Sequence, residues 1–403
     1  MPSSDSTLVA PTAIAAEQDF ARRFLASLGV RSPTPGLVEL TAGRLCLREE
    51  RASTERDEWG NWDLKPSDSR ANEALVPVID RAIAAEGVRR PRWPDGKRFA
   101  LCLTHDVDSV SDGVGRSEYV WRALGALSAD PRSWRRVGST LARTLRPSRG
   151  DAADSLASFE RWIDAEARFG FRSTFFVFAP RRRDRHWTDA HYDWQDTTRY
   201  RGQSMRVGEM FGAIAAEGWE IGLHGSYGSA RSLDRLKSER GMLELGLGSP
   251  VTSARQHYLN FDSVRSPAIM ERAGIRIDST LGYNRIVGYR AGTTFPFPLW
   301  NAAAEAATDV LEIPLIAMDC SLLESGALGL SVEDATGVVR RMMDDAEASG
   351  GCITLNWHPD HLARDGYFEL YEVVLSEAAS RGAWGCASGE LAAWWQAQSG
   401  ILQ

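Results

Sequence analysis

Short apolar segments alternate with amphipathic segments after residue 96, and this pattern predicts a parallel sheet. The strand-like segments are RFALCLT, STFFVFA, WEIGLH, ARQHYL, IRIDST, LEIPLIA, CITLNWH and AWGCA. Helical segments such as RSLDRLKSERGMLELG and VEDATGVVRRMMDDAEASG lie beside them at the spacing of crossover connections. About eight strands in this order indicate an α/β fold whose sheet closes into a barrel, with an open doubly wound sheet as the alternative.

The first 90 residues have a different pattern. Residues 1–15 are mostly Ser, Ala, Thr and Pro without an apolar period, which predicts a flexible terminus. Residues 16–90 combine two helical stretches with a possible strand pair in GLVELTAGRLCLREE, so we predict a small α+β accessory subdomain. Because this region contains no His, we expect it to shape the approach of a substrate without contributing to the chemistry.

Pro91, Pro94 and the Asp95-Gly96 turn separate this region from residues 91–403, which we predict to form the barrel. Within the barrel, the Arg-rich stretch at about 110–160 has helical character but no strand. We therefore predict that it is an insertion over the barrel mouth.

Composition and charge exclude several classes of protein. The chain of 403 residues has a formal net charge of -7, which gives no basic surface for nucleic acid. The five cysteines are scattered without a CxxC pair, which argues against a disulfide framework and a zinc knuckle. No apolar run reaches the roughly 18 residues of a membrane span, and the N-terminal sequence lacks the pattern of a signal peptide. The predicted location is the cytoplasm.

Two carboxylates follow the first predicted strand, in the sequence LTHDVDS. Asp106 and Asp108 are two positions apart on an extended segment and therefore point the same way. Two adjacent carboxylates repel each other, and a divalent cation would compensate that repulsion. An isolated DxD sequence more often caps a turn or a helix. Histidines at the ends of other strands shift the interpretation towards a metal site.

The ends of three other predicted strands carry further polar side chains. His224 ends EIGLHGSYGS, Arg255 and His257 share one face of the strand in SARQHYLNF, and His358 ends ITLNWHPDHL. In parallel α/β folds, these strand ends meet at one edge of the sheet. A buried Arg needs an anion, and the Asp pair is a candidate partner. Each His could instead be a hydrogen-bonded core residue or a cap.

Six motifs, read in order from residue 91 to about 396, resemble those of the polysaccharide deacetylase family, the family 4 carbohydrate esterases. They are LTHDVDS, IGLHGSY, RQHYLNFD, DSTLGY, GYRAGT and LNWHPD. The resemblance is closest to the bacterial branch of the family that opens with THDVD. It implies a distorted (β/α) barrel and metal-dependent removal of acetyl groups from N-acetylated sugars.

The resemblance also implies roles for individual residues. Asp106 matches the general base, and Arg255 matches the arginine that orients this base. The backbone N–H of Tyr258 falls where an oxyanion donor is expected. His358 matches the general acid.

For the metal, Asp108 matches the carboxylate ligand and His224 matches the first histidine ligand. The family places a second histidine four positions later, where this chain has Gly228. We therefore predict that His257 replaces it. An Asp/His/His ligand set fits Zn²⁺ best, although other divalent ions of similar size are possible.

The predicted function is thus a metal-dependent hydrolase that removes an N-acetyl group from an amino sugar or glycoconjugate, such as a glycan precursor or a glycosylated natural product. One alternative, motivated by Gly228, is a barrel with altered or lost chemistry that binds carbohydrate. Another is a hydrolase of a different non-peptide C–N bond, such as a cyclic amide. Asp106 and His358 together favour an enzyme, since a pure binding protein needs no acid and base pair.

Overall fold

The computed structural model describes residues 11–87, 93–110, 158–180, 186, 188–190 and 192–399. Most of the predicted flexible terminus and nearly all of the predicted insertion at 110–160 lie outside these residues. No helix in the described ranges is long and apolar enough to cross a membrane.

A curled, barrel-like sheet forms the centre of the protein. Its strands run in the order β10-β11-β1-β2-β5-β6-β7-β9-β8, and β12 also pairs with β1. The pairs are parallel except β8 with β9, and β3 and β4 form a separate antiparallel hairpin. The predicted α/β barrel fold is therefore confirmed. The strands are β1 Ala100–Val107, β2 Thr174–Val177, β3 Thr197–Tyr200, β4 Gln203–Arg206, β5 Glu220–Gly225, β6 Ser253–Gln256, β7 Ile277–Asp278, β8 Phe297–Asn301, β9 Ala306–Glu312, β10 Ala317–Met318, β11 Cys352–Asn356 and β12 Trp384–Cys386.

Helices cover the sheet and connect most of its strands. They are α1 Pro11–Ser27, α2 Pro35–Leu45, α3 Arg48–Ala52, α4 Ala71–Ala74, α5 Val78–Ala85, α6 Ser158–Ala167, α7 Val207–Ala216, α8 Leu233–Leu247, α9 Ser266–Ala273, α10 Asp319–Leu323, α11 Val332–Ser349, α12 Tyr367–Ser380 and α13 Ser388–Ser399. Helices such as α8, between β5 and β6, and α11, between β10 and β11, form the crossover connections that the sequence pattern predicts.

Strand β1 lies in the middle of the sheet and carries the first site motif at its end. Its first half pairs with β11 and β12, and its second half pairs with β2. All eight residues are buried, as expected for a central parallel strand covered on both faces. The polar residues at its carboxyl end are therefore held by a rigid element.

The predicted strand pair in GLVELTAGRLCLREE is wrong, because this segment forms helices α2 and α3. Thr34 caps α2 by accepting a hydrogen bond from the backbone N–H of Leu37, and Pro35 occupies the first turn. The buried positions of α2 are Leu37, Val38, Thr41, Ala42 and Leu45. Their spacing of three to four residues is that of a helix face rather than the two-residue period of a strand.

The N-terminal helices pack directly on the barrel. The ring of Phe20 lies 5.3 Å from that of Trp300, and the ring of Phe24 lies 6.5 Å from that of Phe297. Both aromatic partners are in β8, so α1 shares its apolar core with the edge of the sheet. Strand β8 itself was missed from the sequence because it contains Pro298, which an antiparallel edge strand tolerates.

Candidate functional site

A cavity of about 420 Å³ opens at the carboxyl edge of the sheet. It is lined by the predicted site residues Asp106, Asp108, His224, His257, Tyr258 and His358, and by residues of other segments that include Glu58, Trp59, Cys320 and His361. Arg255 lies behind the cavity and is completely buried. The structure thus brings together all seven side chains and peptide groups that the sequence singled out.

Asp108, His224 and His257 form a compact triad at one wall of this cavity. Asp108 Oδ1 lies 3.4 Å from His224 Nε2 and 3.4 Å from His257 Nδ1. The two histidine nitrogens are 3.1 Å apart. A tetrahedral zinc ion about 2.0–2.1 Å from each ligand would hold ligand atoms roughly 3.3 Å apart, and these three separations are close to that value.

The hydrogen bonds of the two rings fix which nitrogen faces the triad. His224 Nδ1 donates to the carbonyl of Arg255 at 2.9 Å, and His257 Nε2 donates to the carbonyl of Thr188 at 2.8 Å. In neutral rings, the lone pairs therefore lie on the two nitrogens that face each other and Asp108. Two lone pairs at 3.1 Å repel unless a proton or a metal ion lies between them.

The carboxylate of Asp108 shows the same need for a cation. Its Oδ1 is buried and accepts no hydrogen bond from any residue that the structure describes. Burial by itself would raise the pKa of Asp108, but positive charge on the imidazoles of His257 and His224 outweighs burial and holds this pKa well below its usual value. The triad therefore presents an anionic oxygen and two imidazole nitrogens, a donor set that fits a divalent ion such as Zn²⁺.

Asp106 lies beside the triad and is held by Arg255. Arg255 Nη1 donates to Asp106 Oδ1 at 3.0 Å and to the hydroxyl of Thr104 at 2.7 Å. The remaining donors of the guanidinium bond to the carbonyl and the hydroxyl of Ser279 at 2.7 and 2.8 Å. The fixed guanidinium orients one oxygen of Asp106, and Asp106 also lines the cavity. The neighbouring His105 does not line the cavity, and its Nε2 lies 2.8 Å from Oε1 of the buried Glu166.

A second carboxylate–histidine cluster lies on another wall of the cavity. Asp319 Oδ1 accepts a hydrogen bond from His358 Nδ1 at 2.7 Å, and Asp319 Oδ2 accepts one from His361 Nδ1 at 2.8 Å. The backbone N–H groups of Cys320 and His358 also donate to Asp319, at 2.7 and 3.0 Å. Each oxygen of this carboxylate therefore accepts two hydrogen bonds.

This second cluster stabilises positive charge on its histidines. Burial opposes that charge, but the Asp319 carboxylate raises the pKa of His358 well above its usual value and the pKa of His361 to about 10. Conversely, the two imidazoliums hold the pKa of Asp319 well below its usual value, although burial acts in the other direction. His358 therefore has the properties of a proton donor that faces the cavity.

Asp319 and His361 were not identified from the sequence. Asp319 directly follows β10, so the rule that polar residues gather at strand ends applied to it as well. The HPDH spacing places His361 one turn after His358. Both signals were present but weak, since β10 has only two residues.

The structure corrects the predicted position of His257. Strand β6 ends at Gln256, and His257 begins a short 3-10 turn that continues through Tyr258 and Leu259. Gly228 does not line the cavity, and a Cβ atom added there would meet the side chain of Arg235 at 3.3 Å. A side chain at position 228 would therefore face Arg235 rather than Asp108.

Comparisons with known proteins show the fold of the chain. No protein-family model and no curated protein matches the sequence. A solved structure of a proposed polysaccharide deacetylase from Mycobacterium smegmatis aligns with a TM-score of 0.50 and 21% identity, over 76% of this chain and 93% of that one. The Puue allantoinase aligns with a TM-score of 0.49 and 15% identity, over 77% of this chain and 95% of that one.

The first of these alignments shows that the protein has the deacetylase-type barrel fold that the six motifs led us to expect. At 21% identity the alignment shows the fold alone. The chemistry of the site is therefore argued from its own geometry.

Proposed function

We propose that the protein is a metal-dependent hydrolase that removes an N-acetyl group from an amino sugar or a glycoconjugate. One observation carries this proposal: three groups line the same cavity. They are the triad, the Asp106 carboxylate held by the buried Arg255, and His358 paired with the buried Asp319. These are the groups that hydrolysis of an acetamide needs: a Lewis acid site, a base and an acid.

Asp108, His224 and His257 would hold the ion, and their donor set favours Zn²⁺. When bound, a divalent ion polarises a carbonyl oxygen and makes water a better nucleophile. The other steps belong to residues of the chain.

Asp106 is the proposed general base. Arg255 donates to its Oδ1, so the carboxylate is fixed beside the triad, where it can take a proton from the attacking water. The backbone N–H of Tyr258 is the proposed donor to the oxyanion that forms at the acyl carbon.

His358 is the proposed general acid. Asp319 accepts a hydrogen bond from Nδ1 of His358, which orients the ring and stabilises the imidazolium. His358 can then protonate the amine as the C–N bond breaks. An amine is a poor leaving group unless it is protonated, so this step is as necessary as activation of the water.

The proposal is tested by acetate release from N-acetylglucosamine oligomers and from 4-nitroacetanilide, with the zinc-loaded protein and two variants. Asp106→Asn and His358→Ala should each lower turnover by roughly 10²- to 10⁴-fold, the usual contribution of a positioned base or acid. Zinc content should remain that of the parent, because neither residue belongs to the triad. Asp309→Asn is the matched control, since Asp309 is exposed and remote from the cavity.

Unchanged turnover in both variants would contradict the proposal. A parent protein that binds the sugars but releases no acetate would instead support the alternative of a carbohydrate-binding barrel. Ring opening of a cyclic amide, without acetate release from the two acetamide substrates, would favour the third possibility, hydrolysis of a different C–N bond.

A further inference from the structure

The turn that follows β6 has an unusual backbone. Tyr258 has φ of 56° and Leu259 has φ of 50°, so two successive residues with side chains adopt the left-handed region. For residues other than Gly this conformation costs about 1–2 kcal/mol each. Such a turn persists only where its surroundings hold it.

Two asparagine side chains bind the carbonyl oxygen at the centre of this turn. Asn61 Nδ2 donates to the carbonyl of Tyr258 at 2.8 Å, and Asn284 Nδ2 donates to the same oxygen at 3.0 Å. Asn61 Oδ1 also accepts from the backbone N–H of Phe261 at 3.2 Å. Asn61 is 1% exposed, so one buried side chain connects the centre of the turn to Phe261, which follows it.

The segment that carries Asn61 is itself ordered by local contacts. Asp57 Oδ1 accepts hydrogen bonds from the backbone N–H groups of Trp59 and Asn61, each at 2.8 Å. The Trp59 ring stacks on the Tyr258 ring with centroids 4.2 Å apart and planes 19° apart. The carbonyl of Trp59 accepts from the hydroxyl of Tyr227 at 2.9 Å. Residues 57–61 therefore form a rigid support against the turn.

Fixing the carbonyl of Tyr258 also constrains its amide. The N–H and the carbonyl of Tyr258 belong to the two planar peptide groups that flank its Cα atom, and only its φ and ψ angles relate these two groups. When the turn keeps these angles, an immobilised carbonyl therefore sets the direction of the N–H. His257, in contrast, has its own anchor, because its Nε2 donates to Thr188. Loss of the asparagine contacts should therefore affect the Tyr258 peptide more than the metal triad.

We propose that Asn61 and Asn284 are positioning residues that hold the Tyr258 N–H in place as the oxyanion donor, with Trp59 stacked on the Tyr258 ring as a further support of the turn. The inference rests on the proposed function, and it gives the N-terminal region a part in the chemistry that the sequence did not suggest. The chemistry needs such support because a misplacement of about 1 Å at a reacting centre can cost roughly 100-fold in rate.

The test uses Asn61→Asp and Asn284→Asp in the full-length, zinc-loaded protein. Asn61→Asp keeps the oxygen that accepts from Phe261 but removes the N–H that donates to Tyr258. We expect kcat for 4-nitroacetanilide to fall about 10- to 100-fold in each single variant, and further in the double variant, because losing an oxyanion donor outright costs about 10²- to 10³-fold. Asn301→Asp is the matched control, as the Asn301 side chain caps a turn at the end of β8 and does not line the cavity.

Three further readouts separate positioning from general damage. KM and the affinity for Zn²⁺, measured by competition with a chromophoric chelator, should stay within about threefold of the parent values, and the pH limbs of kcat should not move. Amide hydrogen exchange in residues 257–261 should accelerate in the double variant, because the turn has lost its two asparagine contacts.

The outcomes distinguish this inference from the proposed function. An active parent with unchanged kcat in both single variants would overturn the inference alone, as would parallel losses of kcat and zinc affinity. Unchanged hydrogen exchange in the double variant would overturn it whether or not the protein is active. A zinc-loaded parent without any turnover would overturn the proposed function and the catalytic part of the inference together.

Discussion

Two clusters of one aspartate and two histidines lie on the walls of the same cavity, and their geometry differs. In the triad of Asp108, His224 and His257, the facing atoms are 3.1–3.4 Å apart. In the cluster of Asp319 with its two histidines, the carboxylate oxygens lie 2.7 and 2.8 Å from the ring nitrogens. The first separations suit atoms that share a metal ion, and the second are those of charge-assisted hydrogen bonds.

The hydrogen bonds around each cluster explain the difference. At the triad, backbone carbonyls bind the outer nitrogens of His224 and His257, so the lone pairs of neutral rings face inward, and Asp108 Oδ1 accepts no hydrogen bond from the described residues. At Asp319, each ring instead directs an N–H at the carboxylate, and both oxygens are satisfied. The same residue types therefore form the proposed cation site in one place and the proposed proton site in the other. Which ring nitrogen carries the proton decides between them.

The largest predicted effect concerns metal binding. Asp108→Asn or His257→Gln should weaken zinc affinity by more than about 100-fold, since even loss of an outer-shell partner of a ligand costs roughly 10- to 100-fold. Asp319→Asn should retain one zinc ion per chain. Metal content after exhaustive dialysis, determined by elemental analysis, measures both.

A companion variant tests whether the triad needs His257 in particular. Adding Gly228→His to His257→Gln should not restore zinc binding, because a side chain at position 228 faces Arg235. Full restoration by the added histidine would show that a side chain at position 228 reaches the triad, which would contradict its direction towards Arg235. Loss of zinc from Asp319→Asn would remove the distinction between the two clusters.

The next effect is a shift in pH dependence. The Asp319 carboxylate stabilises the protonated form of His358, so its removal lowers the pKa of His358. A general acid is active only while protonated, and it would then lose its proton at a lower pH. In Asp319→Asn the alkaline limb of kcat/KM should therefore move to lower pH, by about one pH unit or more.

His361→Gln is the matched control for this shift. It leaves the Asp319–His358 hydrogen bond in place and removes a neighbouring imidazolium, so it should not move the alkaline limb downwards. A limb that stays in place in Asp319→Asn would mean that His358 is not the group that titrates there.

The sequence predicted the fold more completely than the site. Apolar runs located the parallel strands, and the confirmed barrel follows from their alternation with helices. The segment at 36–50 was misread because its Val and Leu residues suggested strands. The cap at Thr34 and the proline at Pro35 determine a helix instead. Strand β8 was missed because Pro298 interrupts its pattern.

At the site, strand-end positions identified residues whose element is long and regular, such as Asp106 at the end of β1 and Asp108 directly after it. Asp319 follows a strand of only two residues, and His361 lies in a 3-10 turn, so neither stood out. Asn61 reaches Tyr258 across 197 positions of sequence. Nothing local marks such a contact, because it depends on how the N-terminal region packs against the barrel. The roles of all site residues remain predictions.

The smallest expected effect concerns Cys320, which decides whether the second cluster is purely a proton site. Its Sγ lies 3.6 Å from His358 Nδ1 and 3.9 Å from His361 Nδ1. These three atoms are close enough to bind one metal ion together if the thiol is ionised. Sulfur is a weak hydrogen-bond partner, and both ring protons already go to Asp319. We therefore expect Cys320→Ser to keep kcat within about threefold of the parent value.

The cobalt-substituted protein gives the direct measurement, because a thiolate ligand produces a sulfur-to-cobalt charge-transfer band in the near ultraviolet. We expect the parent and Cys320→Ser alike to bind one cobalt ion per chain and to show no such band. A second equivalent of cobalt, with a band that disappears in Cys320→Ser, would make the cluster a metal site and would break the comparison.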